Sequence, residues 1–79
     1  MNINLELYRI FYVVAKLGNI TKASNELLIS QPAVTKHIKN LEDQIGGKLF
    51  IRTKRGVILT ENGTEIFNNI KQALNLIEQ

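Results

Sequence analysis

The sequence has no cysteine, which excludes disulfide bridges and any thiolate zinc site. Its one histidine, His37, is too few for a histidine-rich metal site. No metal and no cofactor is therefore expected in this stretch of chain. No apolar run approaches the roughly 18–20 residues that cross a bilayer. The opening residues, MNINLELYRI, lack the basic start and unbroken apolar stretch of a signal peptide. A cytoplasmic protein without a membrane partner is expected. Internal repeats, low-complexity tracts and linkers are lacking too, as are a nucleophile–base pair, a phosphate-cradling loop and a metal-ligand cluster. An enzyme is not expected.

What is present fits one small domain of 79 residues, 44% of them hydrophobic, enough for a folded core. A core of this size supplies only about 3–5 kcal/mol, so pairing with a second chain is the expected stabilising device. The formal net charge is +3, and its placement matters more than its size. Six cations (Lys36, Lys39, Lys48, Arg52, Lys54, Arg55) lie between Gln31 and Arg55, against Glu42 and Asp43, a local excess of four. On charge alone, a polyanion partner and a merely solvated basic face both stay open.

Hydrophobic period divides the chain. Leu7, Ile10, Phe11, Val14 and Leu17 follow helical spacing, and Tyr8, Tyr12, Val13 and Ala15 widen the apolar surface almost all round. A helix this apolar needs partners on more than one side. Gly18-Asn19 ends it. Thr21 is the expected N-cap of a short second helix over residues 22–28, with Ala23 and Leu27 on its buried face. Ser30 is the next N-cap, with Pro32 in the first turn of a third helix, residues 31–45, where proline forfeits no hydrogen bond. Val34, Ile38, Leu41 and Ile45 make its buried stripe; Pro32, Thr35, Lys36, Lys39 and Asp43 lie opposite. The runs 49–52 and 57–59 flank Thr53-Lys54-Arg55-Gly56 as a β-hairpin with a basic tip. Thr60 caps a last helix whose stripe is Ile66, Ile70, Leu74 and Ile77.

Two helices joined by a short turn, the second with a basic outward face, form a helix-turn-helix. One α-helix fits the DNA major groove, and residues near its N-terminus meet base edges. Here those are Gln31, suited to adenine; Pro32 and Ala33, suited to a thymine methyl; Thr35; and Lys36, suited to guanine. Lys39, one turn on, is better placed for phosphate. Arg52, Lys54 and Arg55 would form a wing along the backbone or in the minor groove, and Thr21 could hold a phosphate at a helix N-terminus.

The residues Gly18-Asn19-Ile20-Thr21-Lys22-Ala23-Ser24, Leu27, and Ile29-Ser30-Gln31-Pro32-Ala33-Val34-Thr35 resemble the N-terminal domain of LysR-type transcriptional regulators. So do Ile38, Leu41-Glu42, Gly46, Leu49-Phe50, Arg52 and Leu59-Thr60-Glu61-Asn62-Gly63. The resemblance covers essentially the whole chain. It departs at Asn19, where serine is frequent, and at Ser24, where a second alanine is common. It implies a mainly α winged helix-turn-helix over residues 1–59 and a linker helix over 60–79 that pairs two protomers. It also implies an inverted-repeat operator in double-stranded DNA, and a further domain beyond this stretch that binds a small-molecule effector. It assigns DNA contacts to Gln31, Pro32, Thr35, Lys36 and Arg52.

Simpler readings stand beside these. The Ile66–Ile77 stripe could pack only within the chain, although the apolar excess of the first helix favours an added dimer seam. His37 reads as a half-exposed side chain without a site. Glu42-Asp43 reads as solvated or paired, since sequence neighbours point about 100° apart on a helix. Tyr8 and Tyr12 read as core or interface. Against DNA binding stands a protein-interaction module, in which the face from Gln31 to Lys39 would be buried by a protein partner.

Overall fold

The computed structural model describes the backbone of residues 5–78 and side chains as far as Leu74. Its elements run α1 (Leu5–Leu17), α2 (Ile20–Leu27), α3 (Gln31–Ile45), β1 (Phe50–Thr53), β2 (Gly56–Leu59) and α4 (Glu61–Glu78). The architecture is mainly helical, with one antiparallel hairpin.

Leu7, Ile10, Phe11 and Val14 of α1 are buried, as their spacing predicts. They meet Ala23 of α2, Val34, Ile38 and Leu41 of α3, and Leu49 and Val57 around the hairpin in one core. Gly18 takes a left-handed φ of 65° and donates its N–H to the Val14 carbonyl at 2.8 Å, closing α1. α1 ends where its sequence predicts, but α2 starts earlier than expected. The cap is Asn19, not Thr21: Asn19 Oδ1 accepts the Lys22 N–H at 2.9 Å from an extended backbone. Asn19 is extended and its carboxamide lies three residues before Lys22, the spacing of an N-cap, whereas Thr21 is already inside the helix. Thr21 lies in the first turn, where its carbonyl accepts the buried Ser24 hydroxyl at 2.8 Å. Leu28 is not helical but forms the left-handed cap of α2, with φ 60°.

Ser30 caps α3 as expected, its hydroxyl accepting the Ala33 N–H at 3.2 Å, with Pro32 in the first turn. Ile45, expected in the core, is 37% exposed. It shares Val34's direction but lies about 16 Å further along the axis, at the helix end where the chain turns through left-handed Gly46.

The hairpin pairs Phe50 with Leu59, Ile51 with Ile58, Arg52 with Val57 and Thr53 with Gly56. Two strands alone are marginal, and three attachments hold these to the helices. The Val57 N–H donates to the Gly18 carbonyl at 3.1 Å. Phe50 packs its ring 5.3 Å from that of Phe11. The Glu42 carboxylate, whose side chain is only 11% exposed, accepts the Leu49 N–H at 2.7 Å and lies 3.8 Å from Lys48 Nζ. Glu42→Ala is expected to cost about 1.5–3 kcal/mol, because a charge-assisted bond to a part-buried amide is lost. Glu42→Gln, which keeps an acceptor, should cost less. Urea denaturation of both variants checks this ordering.

Thr60 caps α4, accepting the Gly63 N–H at 3.0 Å while donating to the Lys48 carbonyl at 2.7 Å. Along α4, Ile66 and Ile70 are half-buried against the core, and Phe67 stacks on Tyr12 at 5.2 Å. The side chain of Ile77 lies outside the described residues.

Candidate nucleic-acid interface

The buried stripe of α3 turns its other face outward, leaving Gln31, Pro32, Thr35, Lys36 and Lys39 exposed. The hairpin leaves Arg52, Thr53, Lys54 and Arg55 exposed at its tip. Their tight turn is held by the Thr53 hydroxyl, which donates to the Gly56 carbonyl and accepts the Arg55 N–H, both at 3.2 Å.

Together these two surfaces line one open groove of about 750 Å³, joined by Asn19, Ile20 and Thr21 from the start of α2. Among the described residues five cations line it (Lys36, Lys39, Arg52, Lys54, Arg55), and no carboxylate does. The ion pairs among the described residues lie elsewhere, at Arg9–Glu6 and Lys48–Glu42. The groove therefore keeps its positive charge uncompensated, and a concave surface of one sign concentrates field on a polyanion.

The structure brings together Thr21, Gln31, Pro32, Thr35, Lys36, Lys39, Arg52, Lys54 and Arg55 in this groove. Ala33 is not among its lining residues; it is half-buried, and its N–H serves the Ser30 cap. Lys48, counted in the basic excess, instead accompanies Glu42. Sequence reasoning placed Thr53 and Gly56 in the hairpin tip without giving them a part in the site, and it missed Ile20. The only signal for Ile20 is non-local, the docking of the hairpin on the end of α1. His37 lies off the groove, half-buried, with Nδ1 buried and without a hydrogen-bond partner among the described residues. Among the described residues no group of three or more potential metal ligands occurs, and no helix is long and apolar enough to cross a membrane.

A second, predominantly apolar groove of about 600 Å³ runs between α1 and α4. Tyr8 and Tyr12 line it from one side, Ile70, Ala73 and Leu74 from the other. Of the expected dimer stripe, Ile66 and Ile70 spend part of their surface on the core, while Ile70 and Leu74 line this groove.

Residues 5–64 match the bacterial regulatory helix-turn-helix protein, lysR family. The chain belongs to the LysR family. This LysR-family chain is 42% identical over 82 residues to the RuBisCO operon transcriptional regulator of Allochromatium vinosum, covering 100% of itself and 27% of that relative. It is 51% identical over 67 residues to the HTH-type transcriptional regulator YoaU of Bacillus subtilis, covering 84% of itself and 23% of that protein. It spans about a quarter of the length of these curated relatives. Among solved structures it superposes on the BenM DBD in complex with catB site 1 DNA with a TM-score of 0.88. That match has 31% identity over 98% of this chain and 86% of that one. On CbnR, a LysR family transcriptional regulator, the TM-score is 0.86 at 30% identity, over 96% of this chain and 26% of that one. The fold is thus the winged helix-turn-helix of this family: α2 and α3 form the helix-turn-helix, and β1–β2 the wing.

Proposed function

We propose that this LysR-family chain is the module of a bacterial transcription regulator that binds double-stranded DNA sequence-specifically. The observation that carries this reading is the groove between α3 and the wing, lined among the described residues by five cations and no carboxylate. A duplex supplies the matching polyanion, and α3 has the width of a major groove. In this reading Gln31 pairs with adenine, Lys36 donates to guanine O6/N7, and Pro32 touches a thymine methyl. Ala33 is left out of the reading because it does not line the groove. Lys39 and Thr21 take backbone phosphates, and Arg52, Lys54 and Arg55 follow the backbone or enter the minor groove.

Residues 1–59 contain the DNA-binding unit, and α4 serves as the linker helix. The apolar groove between α1 and α4 is the seam for a second copy, so that two α3 helices meet the half-sites of an inverted repeat about one helical turn apart. Sedimentation equilibrium should show a dimer; a monomer at all accessible concentrations contradicts the seam. The protein works in the cytoplasm on DNA and has no catalytic role. Small-molecule control falls to the part of its relatives' length that this chain does not span.

Two substitutions separate reading from holding. Gln31→Ala is expected to cost about 1–3 kcal/mol at particular base pairs and to relax specificity there. Arg52→Ala should weaken binding almost uniformly across sequences and lower the salt slope by about 1. Equal losses for Gln31→Ala on specific and random duplexes would remove its base-reading role. A loss confined to one base position would remove the backbone role of Arg52.

A further inference from the structure

Arg52 does not stand free at the edge of the groove. Its Nη2 donates to Thr35 Oγ1 at 3.4 Å, across 17 residues of sequence. Among the described residues this is the one side chain–side chain hydrogen bond between α3 and the wing. The strand register explains it. Arg52 pairs with buried Val57 and lies two residues from Phe50, so all three share the helix-facing side of the hairpin. Lys54 and Arg55, at the turn, do not share that constraint.

Thr35 is also suited to the contact. A helical threonine commonly turns its hydroxyl back on its own helix, as Thr64 does when it donates to the Thr60 carbonyl at 2.9 Å. Thr35 makes no such bond, and Arg52 is its hydroxyl's only partner among the described residues. Its β-branched side chain has few rotamers, so the oxygen is presented from a stiff base. The pair sits on a saddle. Ile20, Thr35, Lys39 and Arg52 line both the cationic groove and a second groove running toward Lys48 and Phe50.

The geometry points to Thr35 as a positioning residue for Arg52: its hydroxyl holds the guanidinium, beside Lys39, where a backbone phosphate crosses between α3 and the wing. This rests on the proposed DNA-binding function and adds to it a link between recognition helix and wing. A long arginine side chain surrenders much rotamer freedom on binding. A guanidinium already held surrenders less, which raises affinity without a new contact to the ligand.

The test uses the whole chain and the variants Thr35→Val, Thr35→Ser, Arg52→Ala and Thr35→Val/Arg52→Ala. Thr35→Val is expected to weaken binding about three- to tenfold on a selected and a scrambled duplex alike, and to lower the salt slope by up to about 1. Thr35→Ser should restore both. In the Arg52→Ala background Thr35→Val should cost less than about twofold more, because the two residues act through one contact. A loss confined to one base position, with the slope intact and the double variant additive, overturns the proposal in favour of direct base reading by Thr35. The link also has a readout without DNA. The order of the Arg52 Nε–H bond, from ¹⁵N relaxation, should fall in Thr35→Val and persist in Thr35→Ser. No change in either variant overturns the link. If the order falls as expected but the wild-type chain binds selected and scrambled duplexes equally weakly, the link stands and the DNA-binding function fails.

Discussion

Gly56→Ala is expected to destabilise the domain by about 3–5 kcal/mol, enough to abolish cooperative folding at this size. Two independent costs combine. Gly56 has φ 144°, a conformation nearly reserved for glycine, and a side chain held there is strained by about 1–3 kcal/mol. A Cβ at this position would also run into the Gly18 carbonyl oxygen, with the Asn19 Cα close behind, and backbone cannot rotate away as a side chain can. That carbonyl accepts the Val57 N–H, so any shift that relieves the clash breaks the attachment of wing to α1. Gly46→Ala is the natural comparison. It too has a positive φ, 84°, but nothing lies within 4 Å of its Cβ, so only the left-handed strain of about 1 kcal/mol applies. Thermal unfolding followed by circular dichroism should therefore rank the variants with Gly56→Ala far below Gly46→Ala. Equal melting temperatures would mean that the wing is not anchored through Gly18.

The second large effect concerns the wing's charge. Replacing Arg52, Lys54 and Arg55 together by alanine is expected to weaken DNA binding about 10²–10³-fold at moderate salt and to reduce the salt slope by about 3. All three side chains are exposed and unpaired by carboxylates, so the melting temperature should hardly change. The exposed link from Arg52 to Thr35 is worth at most about 1 kcal/mol, so its loss lowers the melting temperature by no more than a few degrees. A melting temperature that falls sharply would show that these residues hold the fold instead. An affinity unchanged across salt concentrations would show that the wing does not touch the duplex.

The elements with local signals were legible in the sequence. The bounds of α1 follow from its apolar period and Gly18, and α3 follows from Ser30, Pro32 and Gly46. The groove was legible for a related reason: once Val34, Ile38 and Leu41 face inward, helical geometry leaves Gln31, Thr35, Lys36 and Lys39 no direction but outward. What was not legible depends on contacts between distant residues or on competition between neighbours. Asn19 and Thr21 are both good cap residues two positions apart, and their identities alone do not choose between them. Ile45 keeps the angular phase of a core residue but lies past the neighbours that would cover it. Glu42 reads as solvated or paired, and only the return of the chain, which brings Lys48 and the Leu49 N–H against it, selects the pairing. The use of Gly56 and the bond from Arg52 to Thr35 likewise exist only when the hairpin docks.

A cationic groove that reads a DNA sequence must bind one duplex in preference to another. Fluorescence anisotropy titration at several salt concentrations tests it most directly, with an inverted-repeat duplex selected from a random pool set against a scrambled one. Salt-steep binding that favours the selected duplex by about 10³ or more is expected. Equal, weak binding to both duplexes would contradict it and turn the groove over to a protein partner.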